Sequence, residues 1–169
     1  MSESRKNTPN ALSWLALSVL LIGVDQWTKW LAVGHLSYQQ PMPVFSGFWN
    51  WTLTHNTGAA FSFLAQAGGW QRLFFLALAL IITIGLVFSL ARTARRDWWA
   101  ALPYSLIIAG AIGNVIDRAR LGYVVDFIQW YWRDFYWPVF NVADCCIVVG
   151  AVMLVLSGLF RKEQEHENT

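Results

Sequence analysis

Two aspartates stand where a charge is least expected. Asp144 lies in the apolar stretch Pro138 to Phe160 with no basic residue near it, and Asp126 is a lone charge inside Val124-Val125-Asp126-Phe127-Ile128. An ionisable side chain within a membrane span is costly and by default marks a working site. Two carboxyl groups in a low-dielectric site do not easily both ionise, so they share one proton and titrate as a pair. The ionised member activates a water and the protonated member polarises a carbonyl, which hydrolyses a peptide bond without a metal or a covalent intermediate. Clustered carboxylates also suit a Mg²⁺ site for phosphoryl or phospholipid chemistry, with Asp117, Asp126 and Asp144 as three ligands. Spacing alone does not separate these two uses. A non-enzymatic scaffold or proton-relay subunit is the third reading.

Other catalytic kits are thin. His35, His55 and His166 have no helical partner at ligand spacing, and there is no Gly-x-Ser-x-Gly turn, zinc-type His/Glu motif or Walker loop. Cys145 and Cys146 are adjacent and cannot readily bridge each other, and beside Asp144 they read as packing residues. No cofactor signature is present.

The elements that must position the aspartates are membrane helices. The 169 residues are 56% hydrophobic and only 13% charged, against about 25% charged in an ordinary soluble domain, and the mean hydropathy is +0.41. That excludes a disordered chain, and a net charge of +2 is too small to argue for nucleic acid. Four stretches have the roughly 20 apolar residues that span a bilayer: about 11–33, 73–91, 98–116 and 138–160. The first ends in Val24-Asp25-Gln26-Trp27, without the small-x-small site of a cleavable signal, and reads as a retained anchor. Seven Lys and Arg fall on the side of the termini and four opposite, which puts both termini in the cytoplasm. On the outer side, Phe48 to Thr54 alternates, with Trp49, Trp51 and Leu53 on one face and Asn50, Thr52 and Thr54 on the other. That period marks a half-buried strand, so about 38–63 is expected as a small surface sheet, with Val44 to Phe63 as a mobile cover. The aromatic segment Phe127 to Phe140 reads as an interfacial belt. The chain is thus expected to be one integral membrane domain, 1–169, an all-α membrane bundle of four transmembrane helices with a small periplasmic surface sheet.

In that frame the polar residues gather at one depth. Asp25 is roughly 21 Å up the first helix at 1.5 Å per residue, with Lys29 one turn higher on the same face. Asn114 and Asp117 share a face at the outer end of the third helix, and Asn141 and Asp144 share one in the first turns of the fourth. Asp126 lies in the outer connection and Asn56 in the outer loop. Asp25 with Lys29 reads as a buried ion pair, Asp117 with Arg118 as a cap and anchor, and Asn114 and Asn141 as interhelical hydrogen-bonding residues.

Five motifs then carry a resemblance. Asp25-Gln26-Trp27-Thr28-Lys29, Asn56-Thr57-Gly58-Ala59-Ala60-Phe61, Gly113-Asn114-Val115-Ile116-Asp117-Arg118, Val124-Val125-Asp126-Phe127 and Phe140-Asn141-Val142-Ala143-Asp144 occur in this order. Together they resemble the bacterial lipoprotein signal peptidase (signal peptidase II) family. The resemblance implies an aspartic endopeptidase of the bacterial inner membrane that needs no metal or cofactor. Its catalytic pair would be Asp126 and Asp144, supported by Asp25, Lys29, Asn56, Gly58, Asn114, Asp117, Arg118 and Asn141. The implied partners are a prolipoprotein whose future N-terminal cysteine carries diacylglycerol, membrane lipid, and the inhibitor globomycin. A monomer with its site near the periplasmic face is expected.

Overall fold

The computed structural model describes residues 9–58 and 70–167. A 3-10 turn, Ala11–Trp14, leads into α1 (Leu15–His35). β1 (Met42–Phe45) and β2 (Trp49–Asn56) follow, then α2 (Trp70–Arg92) and α3 (Trp98–Arg120). β3 (Val124–Trp132), β4 (Phe135–Tyr136) and α4 (Val142–Glu167) complete the chain. All four helices contain a segment long and apolar enough to cross a bilayer. The chain is a four-helix membrane bundle with a small antiparallel sheet in the order β1-β2-β3-β4.

α3 is the central helix, with 56% of its spanning window buried against 11–17% for the other three. It runs parallel to α1, since Ser18 donates to the Ser105 carbonyl at 2.8 Å and Gln26 reaches the Gly113 carbonyl at 3.2 Å. α4 returns antiparallel along α3 through contacts that only small residues permit. A methyl group on Gly110 would collide with the Ala143 carbonyl oxygen and come within 2.6 Å of Ile147 Cγ1, and one on Gly150 would come within 2.9 Å of the Pro103 carbonyl. Gly110→Ala is therefore expected to lower stability by about 1–3 kcal/mol through overpacking, read as thermal unfolding in detergent micelles. Gly85→Ala on α2, where nothing lies within 4 Å, is the matched control and should leave unfolding unchanged or later.

Three elements differ from the sequence expectation. The segment around Asp126 is not a plain connection but strand β3, paired with β2 so that Thr54 faces Asp126 and Asn56 faces Val124. Its aromatic end still carries exposed rings at Trp130, Trp132, Phe135, Tyr136 and Trp137. α4 starts at Val142 rather than near 138, because Phe140 remains extended and exchanges backbone hydrogen bonds with Ile128 at 2.9 and 3.0 Å; at its far end it runs on past 160 to Glu167. In β2 the alternation holds at first, with Asn50 and Thr52 buried and Trp49 and Trp51 half-buried. A bulge between Trp51 and Thr54 then breaks the register, and Leu53 is buried instead of sharing the exposure of the two tryptophans. The end of the expected sheet at 59–63, including Ala59-Ala60-Phe61, lies outside the described residues.

Candidate active site

The polar residues of α1, α3, α4 and the sheet meet at one end of the bundle. Asn141 is the hinge of the cluster. It is the residue before α4, fully buried, and its Oδ1 accepts from the Asp144 backbone N–H at 2.9 Å. Asp144 in turn accepts the Asn141 backbone N–H through Oδ2 at 3.3 Å. The two form a reciprocal capping box that closes the first turn of α4. With its oxygen committed to the cap, the Asn141 side chain turns its amide outward and donates to Asp126 Oδ1 at 2.6 Å. One asparagine therefore touches both candidate aspartates.

Asn56 is held in the same way. Gly58 sits at φ +95, a conformation glycine adopts without strain, and its N–H donates to Asn56 Oδ1 at 2.9 Å. The Asn56 side chain also hydrogen-bonds the Asp126 carboxyl from β2. Beside it, His55 stacks on Tyr123 at 4.0 Å and lies 4.8 Å from the Tyr38 ring, which anchors the end of the strand. Burial raises the Asp126 pKa to about 7, helped by the negative field of Asp144; the amides of Asn56 and Asn141 and the charge of Lys29 oppose the rise.

On the other side, Asn114 of α3 donates to Asp144 Oδ1 at 2.8 Å and accepts from Lys29 Nζ at 3.1 Å. Lys29 forms ion pairs of 2.9 Å with both Asp25 and Asp117, all three at most 3% exposed. The expected Asp117–Arg118 pair is not what forms. Asp117 faces into the bundle, where it takes Lys29, the Gln26 amide at 2.9 Å and the Val125 backbone N–H at 3.1 Å. Arg118, the next residue around the helix, lies 5.1 Å over the Phe75 ring of α2, and its strongest electrostatic partners are Asp144 and then Asp126. Asp25 does more than pair with Lys29: its Oδ1 accepts the Ala143 N–H of α4 at 2.9 Å, so it joins the first and fourth helices.

Gln26 and Gly113 went unread in the sequence. Gln26 spans Asp25, Gly113 and Asp117 with one amide, and a methyl on Gly113 would come within 2.7 Å of Asp25 Oδ2. Both stood inside the quoted motifs, yet an apolar helix around them gave no hint of their partners. The capping box went unread as well: the sequence placed Asn141 and Asp144 on one face in the first turns of the helix, without the reciprocal cap that forms there.

Asp117, Asp126 and Asp144 are not drawn into one ligand set. Asp117 is taken up by Lys29 and the Val125 amide, and among the described residues no group of three His, Cys, Asp or Glu side chains is placed to hold a metal ion. What the geometry offers is two carboxyls from different elements, joined by one asparagine and each supplied with amide donors. Such an arrangement can hold a water between an acid and a base.

Comparison with known proteins finds relatives over most of the chain. The family model for Signal peptidase (SPase) II matches residues 17–160. The lipoprotein signal peptidase of Xanthomonas euvesicatoria pv. vesicatoria (strain 85-10) is 56% identical over 164 residues, 97% of this chain and 95% of its own length. That of Xylella fastidiosa (strain M12) is 57% identical over 157 residues, covering 93% and 94%. A solved structure of a bacterial membrane enzyme superposes with a TM-score of 0.77 at 30% identity, over 90% of each chain.

Proposed function

The chain belongs to the signal peptidase II family, membrane proteases that cleave the signal peptide from prolipoproteins, and from that premise we propose that Asp126 and Asp144 are its catalytic dyad. The observation that carries this reading is Asn141 bridging the two carboxyls. Asp126, titrating near 7, carries the shared proton. Asp144, at the positive end of α4 and accepting two hydrogen bonds, is the base. Asp144 takes a proton from water as the water oxygen attacks the scissile carbonyl, and Asp126 gives its proton to the carbonyl oxygen. The tetrahedral diol collapses, Asp126 recovers a proton from the diol, and Asp144 passes its own to the leaving nitrogen. That nitrogen becomes the amino terminus of the lipidated cysteine.

The substrate is a prolipoprotein bearing a diacylglyceryl cysteine, which reaches the site from membrane lipid. The enzyme is a monomer in the bacterial inner membrane with both termini cytoplasmic and the dyad near the periplasmic face. The positive-inside bias of seven against four basic residues supports this orientation. Globomycin is the inhibitor expected to occupy the space between the aspartates.

The test is cleavage of a synthetic diacylglyceryl prolipoprotein in micelles, read by mass, with and without EDTA and across pH. The expected cut is immediately before the lipidated cysteine and is indifferent to EDTA. Activity should fall as pH rises through about 7, where Asp126 loses the proton it must donate. Asn56 favours the ionised form of Asp126, so Asn56→Ala should move this limb to higher pH. A limb that stays put or moves down rejects Asp126 as the acid, and loss of activity with EDTA rejects the dyad in favour of a metal site.

A further inference from the structure

At the opposite end of the bundle from the dyad, the start of α1 and the α2–α3 loop enclose a cavity of about 750 Å³ lined by Pro9, Ser13, Trp14, Leu17, Arg95 and Arg96. Its frame is fixed by the backbone. The Ala11 N–H donates to the Thr93 carbonyl at 2.9 Å and the Arg95 N–H to the Pro9 carbonyl at 2.8 Å. The Trp14 indole N–H donates to the Arg95 carbonyl at 3.2 Å, so the ring forms a wall. The two guanidinium groups are exposed, while Leu17 and the Trp14 ring are apolar. Below the cavity, α1 continues as the exposed apolar surface of Val19 and Leu20. Beside it, Trp98 and Trp99 stack at 4.3 Å and are nearly half exposed, as aromatic residues do at the level of lipid headgroups.

We propose that this cavity binds one anionic phospholipid of the leaflet on the termini side, with its phosphodiester on Arg95 and Arg96 and an acyl chain along Leu17 and the α1 surface. Arginine suits this contact because its planar fork engages two phosphate oxygens at once. The amphipathic lining selects a lipid over a free anion: the charged rim holds the headgroup and the apolar wall needs a chain. The other charges of the α2–α3 loop are Arg92, at the end of α2, whose guanidinium lies 3.8 Å over Phe88 away from the cavity lining, and Asp97. The site is independent of the dyad and stands or falls without it.

The experiment is native mass spectrometry of the delipidated full chain, titrated with phosphatidylglycerol, with phosphatidylcholine, and with inorganic phosphate as competitor. One phosphatidylglycerol is expected to be retained, with phosphatidylcholine held at least about tenfold more weakly. Arg95→Gln with Arg96→Gln should weaken retention about 30-fold, at the usual contribution of a basic residue to anionic lipid binding. Ser13→Glu, which puts a negative charge in the cavity while leaving both arginines, should also weaken it and stands in if the double variant does not fold. Arg92→Gln should stay within about threefold of the wild type. Equal binding of the two lipids, an Arg92→Gln loss as large as that of the double variant, or displacement by micromolar phosphate each overturns the proposal.

Discussion

Asp126→Asn and Asp144→Asn each reduce prolipoprotein cleavage by about 10³-fold or more, the scale of removing a positioned acid or base, while the folded bundle survives. Asparagine keeps the size of aspartate and one acceptor oxygen, so the bridge through Asn141 is not abolished. What disappears is the transferable proton or the charge that draws one from water. The measurement is single-turnover cleavage by mass on purified protein whose unfolding has been recorded alongside. If either variant cleaves within tenfold of the wild type, the dyad is wrong.

The unfolding record carries its own sign. Asp126 has a folded pKa of about 7 against an ordinary value near 3.8. Stability tied to this group is therefore complete below pH about 4, is lost as pH rises from there to about 7, and is flat above, amounting to roughly 4 kcal/mol over the window. Asp126→Asn removes this loss. The variant is then expected to be inactive and, at pH 8, more heat-stable than the wild type, as when a buried charge is held for function at the expense of stability. An inactive variant that unfolds earlier at every pH points to a damaged fold instead.

The helices were legible because spanning a bilayer demands a length and an apolarity that few other roles require, as Leu73 to Ala91 displays without a single charge. The depth of the polar residues followed from rise per residue alone. Pairing was legible only where it was local. Lys29 lies four residues past Asp25 on one helix, and that pair forms. Asp117 was matched to Arg118 because they adjoin in sequence, yet neighbours on a helix point about 100° apart and the cation that reaches Asp117 comes from α1. Strand β3 was hidden for a related reason. Its partner β2 lies about 70 residues earlier, and the apolar run Val124 to Ile128, broken by Asp126, shows no alternation to betray a sheet. The asparagines read as interhelical hydrogen-bonding residues because nothing in one residue type says that its oxygen will cap a backbone and its amide will serve a carboxylate.

Lys29→Met is expected to cost about 3–5 kcal/mol, the loss seen when one partner of a buried ion pair is removed. Lys29 is the only cation that ion-pairs Asp25 and Asp117 among the described residues, and all three are at most 3% exposed. Without it, two carboxylates face each other across α1 and α3 with amide donors alone. The two also clamp other elements: Asp25 holds the Ala143 N–H of α4, and Asp117 holds the Val125 N–H beside Asp126. Repulsion between them therefore loosens both carriers of the dyad, and unfolding in micelles should come well before that of the wild type. Combining Lys29→Met with Asp25→Asn and Asp117→Asn should restore most of the stability, because a neutral amide network needs no counter-charge; the recovery measures the coupling directly. Activity should not return with it. Lys29 also donates to Asn114 Oδ1, which fixes the Asn114 amide toward Asp144, and a methionine leaves that amide free to turn. An unfolding temperature for Lys29→Met within a degree of the wild type would show that the lysine is not what neutralises the buried aspartates.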